Sequence, residues 1–347
     1  MTPPDAEVGK QPVDETQDGA SDKILHVEPA ARITLERESS IQRSLLFIAA
    51  YLALETGKQL SNYGLSMSNG GEYPVSPCLI VVFTEVCKLH AILAWAQMKG
   101  ESLLGCRPSW KFCVPAGCYF VTNLLYLHAL MYVSPPLWMV LVQLKTLYTA
   151  AAYKFVFGRE VRWAQAAGCA LVVGSIPLAR LSSLHDDQTS VTAFVILISQ
   201  VTAALSTAAS IAVELLLKNN NRSFCEQQIW LYTAGSVMAI AALPLQMDMA
   251  SLVEQLKSLA ACGPKEVLLV TAVLLSSSAG LTVPLIVKNL DSIVKDYLAA
   301  LNNVALGVLT AALFPMHFSL SWPYVMSVGL LLAGIFLYEN KGLCEKS

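Results

Sequence analysis

The sequence predicts an all-α polytopic membrane protein with ten transmembrane helices, and three observations carry that prediction. Of its 347 residues 55% are hydrophobic and 14% charged, with a mean hydropathy of +0.53, whereas soluble domains carry about 25% charged residues. Apolar stretches of about 20 residues recur from Leu45 to the C-terminus, the length that crosses ~30 Å of hydrocarbon in helical form. Finally, Lys and Arg are unevenly shared between alternate loops, as membrane orientation demands.

Residues 1–43, rich in Pro, Asp, Glu, Gln and Thr, read as a disordered tail. No basic segment followed by an apolar stretch marks a cleaved signal there. Taking Gly, Pro and polar clusters as breaks places the spans at 44–63, 77–98, 109–131, 135–157, 162–180, 190–217, 225–246, 265–287, 295–315 and 320–338, with a short tail over 339–347. One set of loops holds Lys99, Arg107 and Lys111; Lys154, Arg159 and Arg162; Lys218 and Arg222; Lys288 and Lys295; Lys341 and Lys346. The other holds Arg180, Lys257 and Lys265. The basic set is cytosolic by the positive-inside rule, which puts both termini and the Asn-Arg-Ser sequon at Asn221 in the cytosol.

Laying 154–179 on 313–338 without gaps brings Phe155 onto Phe314 and Trp163 onto Trp322. That register predicts two five-helix halves, 44–180 and 190–338. Because five is odd, the halves have opposite membrane orientation, the inverted-repeat plan of many secondary transporters.

Several chemistries find no support. A net charge of −2 gives no basic footprint for nucleic acid. The nine cysteines show neither CxxC pairs nor metal-ligand spacing and read as small buried apolar residues. No HExxH, GxSxG or P-loop is present, so neither an enzyme nor a cofactor is expected. His185, Asp186 and Asp187 read as a solvated turn.

Ionisable groups within spans are costly, about 2.5–3.5 kcal/mol each on insertion scales, and mark protein interiors or watery cavities. Glu55 with Lys58 and Glu85 with Lys88 stand three residues apart on one helical face, where each pair can neutralise itself. For Glu55 and Lys58 a packing role weighs as much as a functional one. Lys145 has no acidic residue within a turn and lies nine residues from both Pro136 and Lys154, too deep to snorkel. A carboxylate from another helix or an anionic ligand must meet it. Tyr119, Thr122, Asn123 and Tyr126 form a polar stripe that either joins helices or offers phenol and amide groups to a base or ribose. Ser206, Ser210 and Glu214 share one side of their span, Gln227, Gln228 and Tyr232 open the next, and Lys288, Asp291, Lys295 and Asp296 cluster at a cytosolic mouth.

Three ordered blocks carry a family likeness. TEVCKL at Thr84 to Leu89 follows a TExxKL pattern; Val114 to Lys145 follows VPAxxYxxQNN…YQxxYQLK without a gap; Ile286 to Ala300 follows VVKYxDNIxKxFxxA. From Leu45 to Gly342 the chain resembles the nucleotide-sugar transporters of the drug/metabolite transporter superfamily, in particular the CMP-sialic acid, UDP-galactose and UDP-N-acetylglucosamine group. The resemblance implies a central cavity between the halves and exchange of a cytosolic nucleotide sugar for luminal nucleoside monophosphate, in a Golgi or endoplasmic reticulum membrane. Carried over by position, Lys145 and Lys295 contact phosphate, Tyr119 and Asn123 line the nucleotide pocket, and Glu85 with Lys88 sits near the sugar. Gln228 and Tyr232 align with polar cavity residues, while Ser210, Glu214 and Lys288 are further candidates.

The departures remove hydrogen-bonding groups. The paired amides of QNN read Thr122, Asn123, Leu124; Trp138 and Met139 replace Tyr-Gln; YFEK reads Ala212, Val213, Glu214, Leu215. Asn302 and Asn303 are candidates for replacement contacts. The expected cargo is a UDP-sugar, with CMP-sialic acid or another organic anion as alternatives, and a non-transporting membrane scaffold as an alternative of another kind. Besides nucleotide sugar and nucleoside monophosphate the expected partner is the lipid bilayer, and a homodimer is left open. The orientation makes one prediction: Asn221→Gln leaves electrophoretic mobility unchanged after expression in a eukaryotic membrane. A glycosidase-sensitive shift that the substitution abolishes would reverse the topology.

Overall fold

The computed structural model describes residues 29–101, 109–157, 162–183, 192–218, 222–259, 263–289 and 292–339, and all regular structure among them is helical. The chain divides into two units, residues 1–46 and 47–347. Of the first only helical backbone from Pro29 onward is described; the site lies in the second.

Each apolar segment of the sequence falls on helix: α1 (Pro29–Met67), α2 (Pro77–Met98), α3 (Cys113–Leu130, entered through a 3-10 turn at Trp110–Phe112), α4 (Pro135–Val142), α5 (Lys145–Phe157), α6 (Trp163–Ser183), α7 (Ala193–Lys218), α8 (Phe224–Gln246), α10 (Pro264–Asn289), α11 (Ser292–Leu313) and α12 (Trp322–Glu339). Between α8 and α10 lies the short α9 (Met249–Ser258). Among the described residues six helices are long and apolar enough to cross a membrane, namely α2, Trp110–Leu130, most of α6, most of α7, α8 and most of α10. Leu301–Leu313 and Trp322–Tyr338 are shorter apolar helices. The protein is a polytopic helical membrane protein.

Local chemistry sets the ends. α2 and α4 start on Pro77 and Pro135, whose fixed φ suits a first turn and whose missing N–H would be unsatisfied there anyway. The Ser223 side chain accepts from the Glu226 amide at 3.1 Å and caps α8. Between α1 and α2 the chain turns through Gly70 and Gly71, at φ of 77° and 95°.

In three places the helices depart from the sequence expectation. α1 begins at Pro29, not 44: the preceding Ala, Arg, Glu, Leu and Gln residues favour helix without being apolar, so hydropathy marks the span and not the helix. Residues 1–28 of the expected tail lie outside the described residues. The span 135–157 is broken at Gln143 and Leu144, where Thr146 N to Gln143 O (3.1 Å) and Leu147 N to Leu144 O (2.9 Å) are three-residue bonds. Lys145, expected in mid-span, is instead the first residue of α5, and its carbonyl accepts from Thr207 Oγ1 of α7 at 3.3 Å. Finally, α9 occupies what was expected to be loop. Its Met249, Val253 and Leu256 share an exposed apolar face, and the Oε1 of Gln255 accepts from the Ser76 amide at 2.9 Å, tying α9 to the start of α2.

In lipid no hydrophobic drive pulls apolar helices together, so close packing of small residues must hold them. α2 packs on α8, α6 on α12, α4 on α11, α3 on α7 and α8, and α10 on α2. The tightest approach joins α6 and α12. A Cβ at Gly168 would lie 2.5 Å from the Gly334 carbonyl oxygen, and one at Gly334 would lie 2.7 Å from that of Gly168. About two turns away on each helix, Ser327 Oγ donates to Ser175 O at 2.8 Å. Gly168→Ala is therefore expected to force these backbones apart at a cost of about 1–3 kcal/mol, read as a lowered melting temperature in detergent. An unchanged temperature would show that the two backbones are not in contact.

Candidate functional site

Seven helices converge on a cavity of about 260 Å³. α1 contributes Glu55 and Lys58, α2 Glu85 and Lys88, α3 Tyr119 and Asn123, and α5 Lys145 and Thr149. Ser206, Thr207, Ser210 and Glu214 enter from α7, Tyr232 and Gly235 from α8, and Gly280 and Pro284 from α10. Three carboxylates and three ammonium groups thus face one space inside apolar helices.

The innermost pair explains much of this geometry. Lys88 Nζ lies 2.5 Å from Glu85 Oε1, with side chains only 8% and 5% exposed. Asn123 Nδ2 donates to the same carboxylate oxygen at 3.3 Å, and Lys88 Nζ sits 5.1 Å above the Tyr232 ring, whose hydroxyl donates to Gly280 O at 3.3 Å. Two glycines make room for the pair: a Cβ at Gly235 would lie 3.0 Å from Glu85 Oε2, and one at Gly280 would lie 2.9 Å from Lys88 Cδ. Lys58 and Glu55 form a second pair at 2.6 Å, supported by Gln59 Nε2 at 3.3 Å, with Lys58 Nζ 5.6 Å from the Tyr126 ring centroid. A smaller chamber of about 80 Å³ adjoins the cavity, sharing Lys58, Lys88, Asn123 and Gly280 with it.

The structure brings together eleven of the residues singled out from sequence: Glu55, Lys58, Glu85, Lys88, Tyr119, Asn123, Lys145, Ser206, Ser210, Glu214 and Tyr232. Others lie off the cavity. Thr122 turns its hydroxyl onto Tyr119 O at 3.0 Å. Trp138 is buried in the apolar cluster of Leu137, Val172, Tyr324 and Leu331, so its large ring serves packing. Gln228 is buried in α8 but does not line the space. Asn302 and Asn303, expected to supply replacement contacts, do not line the cavity: Asn302 Oδ1 accepts from Thr56 Oγ1 at 2.6 Å and Asn303 Oδ1 from the Tyr324 hydroxyl at 3.4 Å, while the amide nitrogens of both are buried without a partner. Lys288 and Lys295 stand on α10 and α11, but their side chains lie outside the described residues, as do Asn221, His185, Asp186 and Asp187.

Sequence reasoning passed over Gly235 and Gly280, which carry no chemistry of their own, and Thr149 and Thr207. Thr149 was within reach, since it stands four residues from Lys145 and hence on the same helical face. Glu55 and Lys58, evenly weighed between packing and function, line the cavity. Ammonium groups beside phenol rings and an amide can hold an anionic ligand that also carries a flat ring and neutral polar groups.

Three kinds of similarity bear on this arrangement. A profile described as nucleotide-sugar transporter matches residues 75–339. A rice protein (Oryza sativa subsp. indica) named CMP-sialic acid transporter 2 is 27% identical over 228 residues, covering 64% of this chain and 62% of its own. CMP-sialic acid transporter 4 of Arabidopsis thaliana is 28% identical over 264 residues, 72% of each chain, and a UDP-galactose transporter of Schizosaccharomyces pombe is 27% identical over 239 residues, 67% of this chain and 65% of its own. One crystal structure superposes on 90% of this chain and 100% of its own with a TM-score of 0.58 at 16% identity, a likeness of fold alone.

The buried pair generates a stability prediction. Lys88→Met strands the Glu85 carboxylate and is expected to cost about 3–5 kcal/mol, whereas Glu85→Gln with Lys88→Met is expected to restore most of that loss. Melting temperatures of the three proteins decide, and equal losses in the single and double variants would show that the charges are not coupled.

Proposed function

The chain belongs to the nucleotide-sugar transporter family, and from that premise we propose that it exchanges a cytosolic UDP-sugar, UDP-N-acetylglucosamine or UDP-galactose, for luminal nucleoside monophosphate by alternating access in a Golgi or endoplasmic reticulum membrane. The observation that carries this reading is the cavity: lysines buried among apolar helices have a use if the cargo is anionic, and Lys145 opens a helix at its edge. Lys145 takes phosphate, joined by Lys295 from the second half. Tyr119 and Asn123 meet the nucleotide, and Glu85 with Lys88 stands near the sugar. Charge on the nucleotide sugar and on the outgoing monophosphate is met by the same ammonium groups, so either ligand can stabilise the occupied cavity while the halves rock.

The ten-helix, two-half plan has support in the packing. In the register that lays 154–179 on 313–338, Gly168 corresponds to Ser327 and Ser175 to Gly334. The contact of Gly168 with Gly334 then has as its image the contact of Ser327 with Ser175, and both are made. The pairs that an inverted repeat relates, α2 with α8 and α6 with α12, also pack on each other, and α3 on α8 is matched by α10 on α2. The cytosolic placing of both termini follows from the loop charges.

The names of the rice and Arabidopsis relatives support CMP-sialic acid as a second cargo. Proteoliposomes loaded with UMP or CMP separate the two: counterflow of labelled UDP-sugar against trapped UMP is expected. Lys145→Ala is expected to lower it by about tenfold or more, the loss of one charge-assisted bond to phosphate. Counterflow of no nucleotide sugar against either monophosphate would overturn the reading.

A further inference from the structure

The short helix α9 is held where membrane-spanning helices end. It begins at Met249, just past the end of α8 at Gln246, and α10 sets out again from Pro264. In its second turn Gln255 accepts from the amide of Ser76, the residue before the first of α2, at 2.9 Å. The start of α10 is fixed to the turn between α1 and α2, where Lys265 Nζ donates to Asn69 Oδ1 at 2.7 Å. The beginning of α9, its middle and the helix after it are therefore all tied to the ends of spans on one side of the membrane. A helix of 10 residues is ~15 Å long, and one tied to that boundary along its length runs along the membrane surface.

Its side chains divide into three stripes at helical spacing. Leu252 and Leu259 turn to the protein and pack against the cluster of Leu65, Tyr73, Val75 and Leu79, with Gln255 on the same side. Glu254 and Ser258 are exposed on a polar side. Between the two, Met249, Val253 and Leu256 are 66, 47 and 44% exposed. An apolar stripe of this kind beside polar residues marks a contact surface. The neighbouring spans identify the contact: Leu245 at the end of α8 and Val267 near the start of α10 are also exposed, on helices long and apolar enough to cross the membrane. The stripe lies in the chain between two lipid-facing segments that reach the same boundary. Glu254 and Lys257 cancel in charge, so burial of apolar side chains, and not attraction to anionic headgroups, supplies the affinity.

We propose that α9 is an interfacial helix seated in the phospholipid leaflet on this side of the membrane, with Met249, Val253 and Leu256 at the boundary of headgroups and acyl chains and Glu254 and Ser258 in water. Through Gln255 it holds the start of α2 at that level.

Photocrosslinking of the full chain in phosphatidylcholine vesicles tests this. The substitution Val253→p-benzoylphenylalanine probes the apolar stripe and Glu254→p-benzoylphenylalanine the polar side, while Ile240→p-benzoylphenylalanine reports a half-exposed position on the spanning helix α8. After irradiation, intact-mass spectra are expected to show addition of one phosphatidylcholine at position 253 with a yield close to that at 240, and a severalfold lower yield at 254. Equal yields at 253 and 254, or a yield at 253 far below that at 240, would overturn the proposal. A covalent dimer formed at 253 in place of the lipid adduct would overturn it as well, and would assign the stripe to a second copy of the chain.

Discussion

Burying Glu85 beside Lys88 is the constraint around which the membrane core is arranged. Two charges taken out of water lose several kcal/mol of hydration each, and only close mutual contact with further hydrogen bonds offsets that loss. The pair obtains both: a 2.5 Å contact, a bond from Asn123 and the face of Tyr232. Such side chains are bulky, and α8 and α10 can approach α2 only because Gly235 and Gly280 stand opposite them. The positions of three helices about the cavity therefore follow from where two charges had to be accommodated.

The same energetics explain what was legible beforehand. A charge inside an apolar run is conspicuous because it is expensive, and Glu55, Lys58, Glu85, Lys88 and Lys145 were readable one by one without any fold. All five line one cavity. Neutral polar residues send no such signal, since an amide or hydroxyl in a helix can face a ligand or a neighbouring helix with equal ease. Asn302 and Trp138 illustrate it: the amide binds α11 to α1, and the indole fills an apolar cluster far from solvent. Gly235 and Gly280 were silent for a different reason, because their contribution is the absence of atoms, which has meaning only once a partner helix supplies the side chain that needs the room.

Helix boundaries divide along similar lines. Proline at the starts of α2 and α4 was readable from local rules. The interruption at Gln143 and Leu144 was not, for VLVQLKTLY contains neither Gly nor Pro, and what accompanies the break is a hydroxyl of α7 bonded to a carbonyl of α5. α9 was missed because it is amphipathic rather than apolar, and span-finding by hydropathy passes over a short helix with Glu254 and Lys257 on its polar face.

The seam between α6 and α12 also bears on how these two helices can move against each other. Gly168 against Gly334 and Ser175 against Ser327 are two points of contact, separated by seven residues on each helix or about 10 Å at the helical rise. Two fixed points define a line and leave a single rotational degree of freedom about it. At one of those points backbone lies directly on backbone, with Val172 Cγ2 of α6 and Tyr338 Cβ of α12 packed beside it. The direction of that line is laid down by packing between α6 and α12, independently of whatever occupies the cavity.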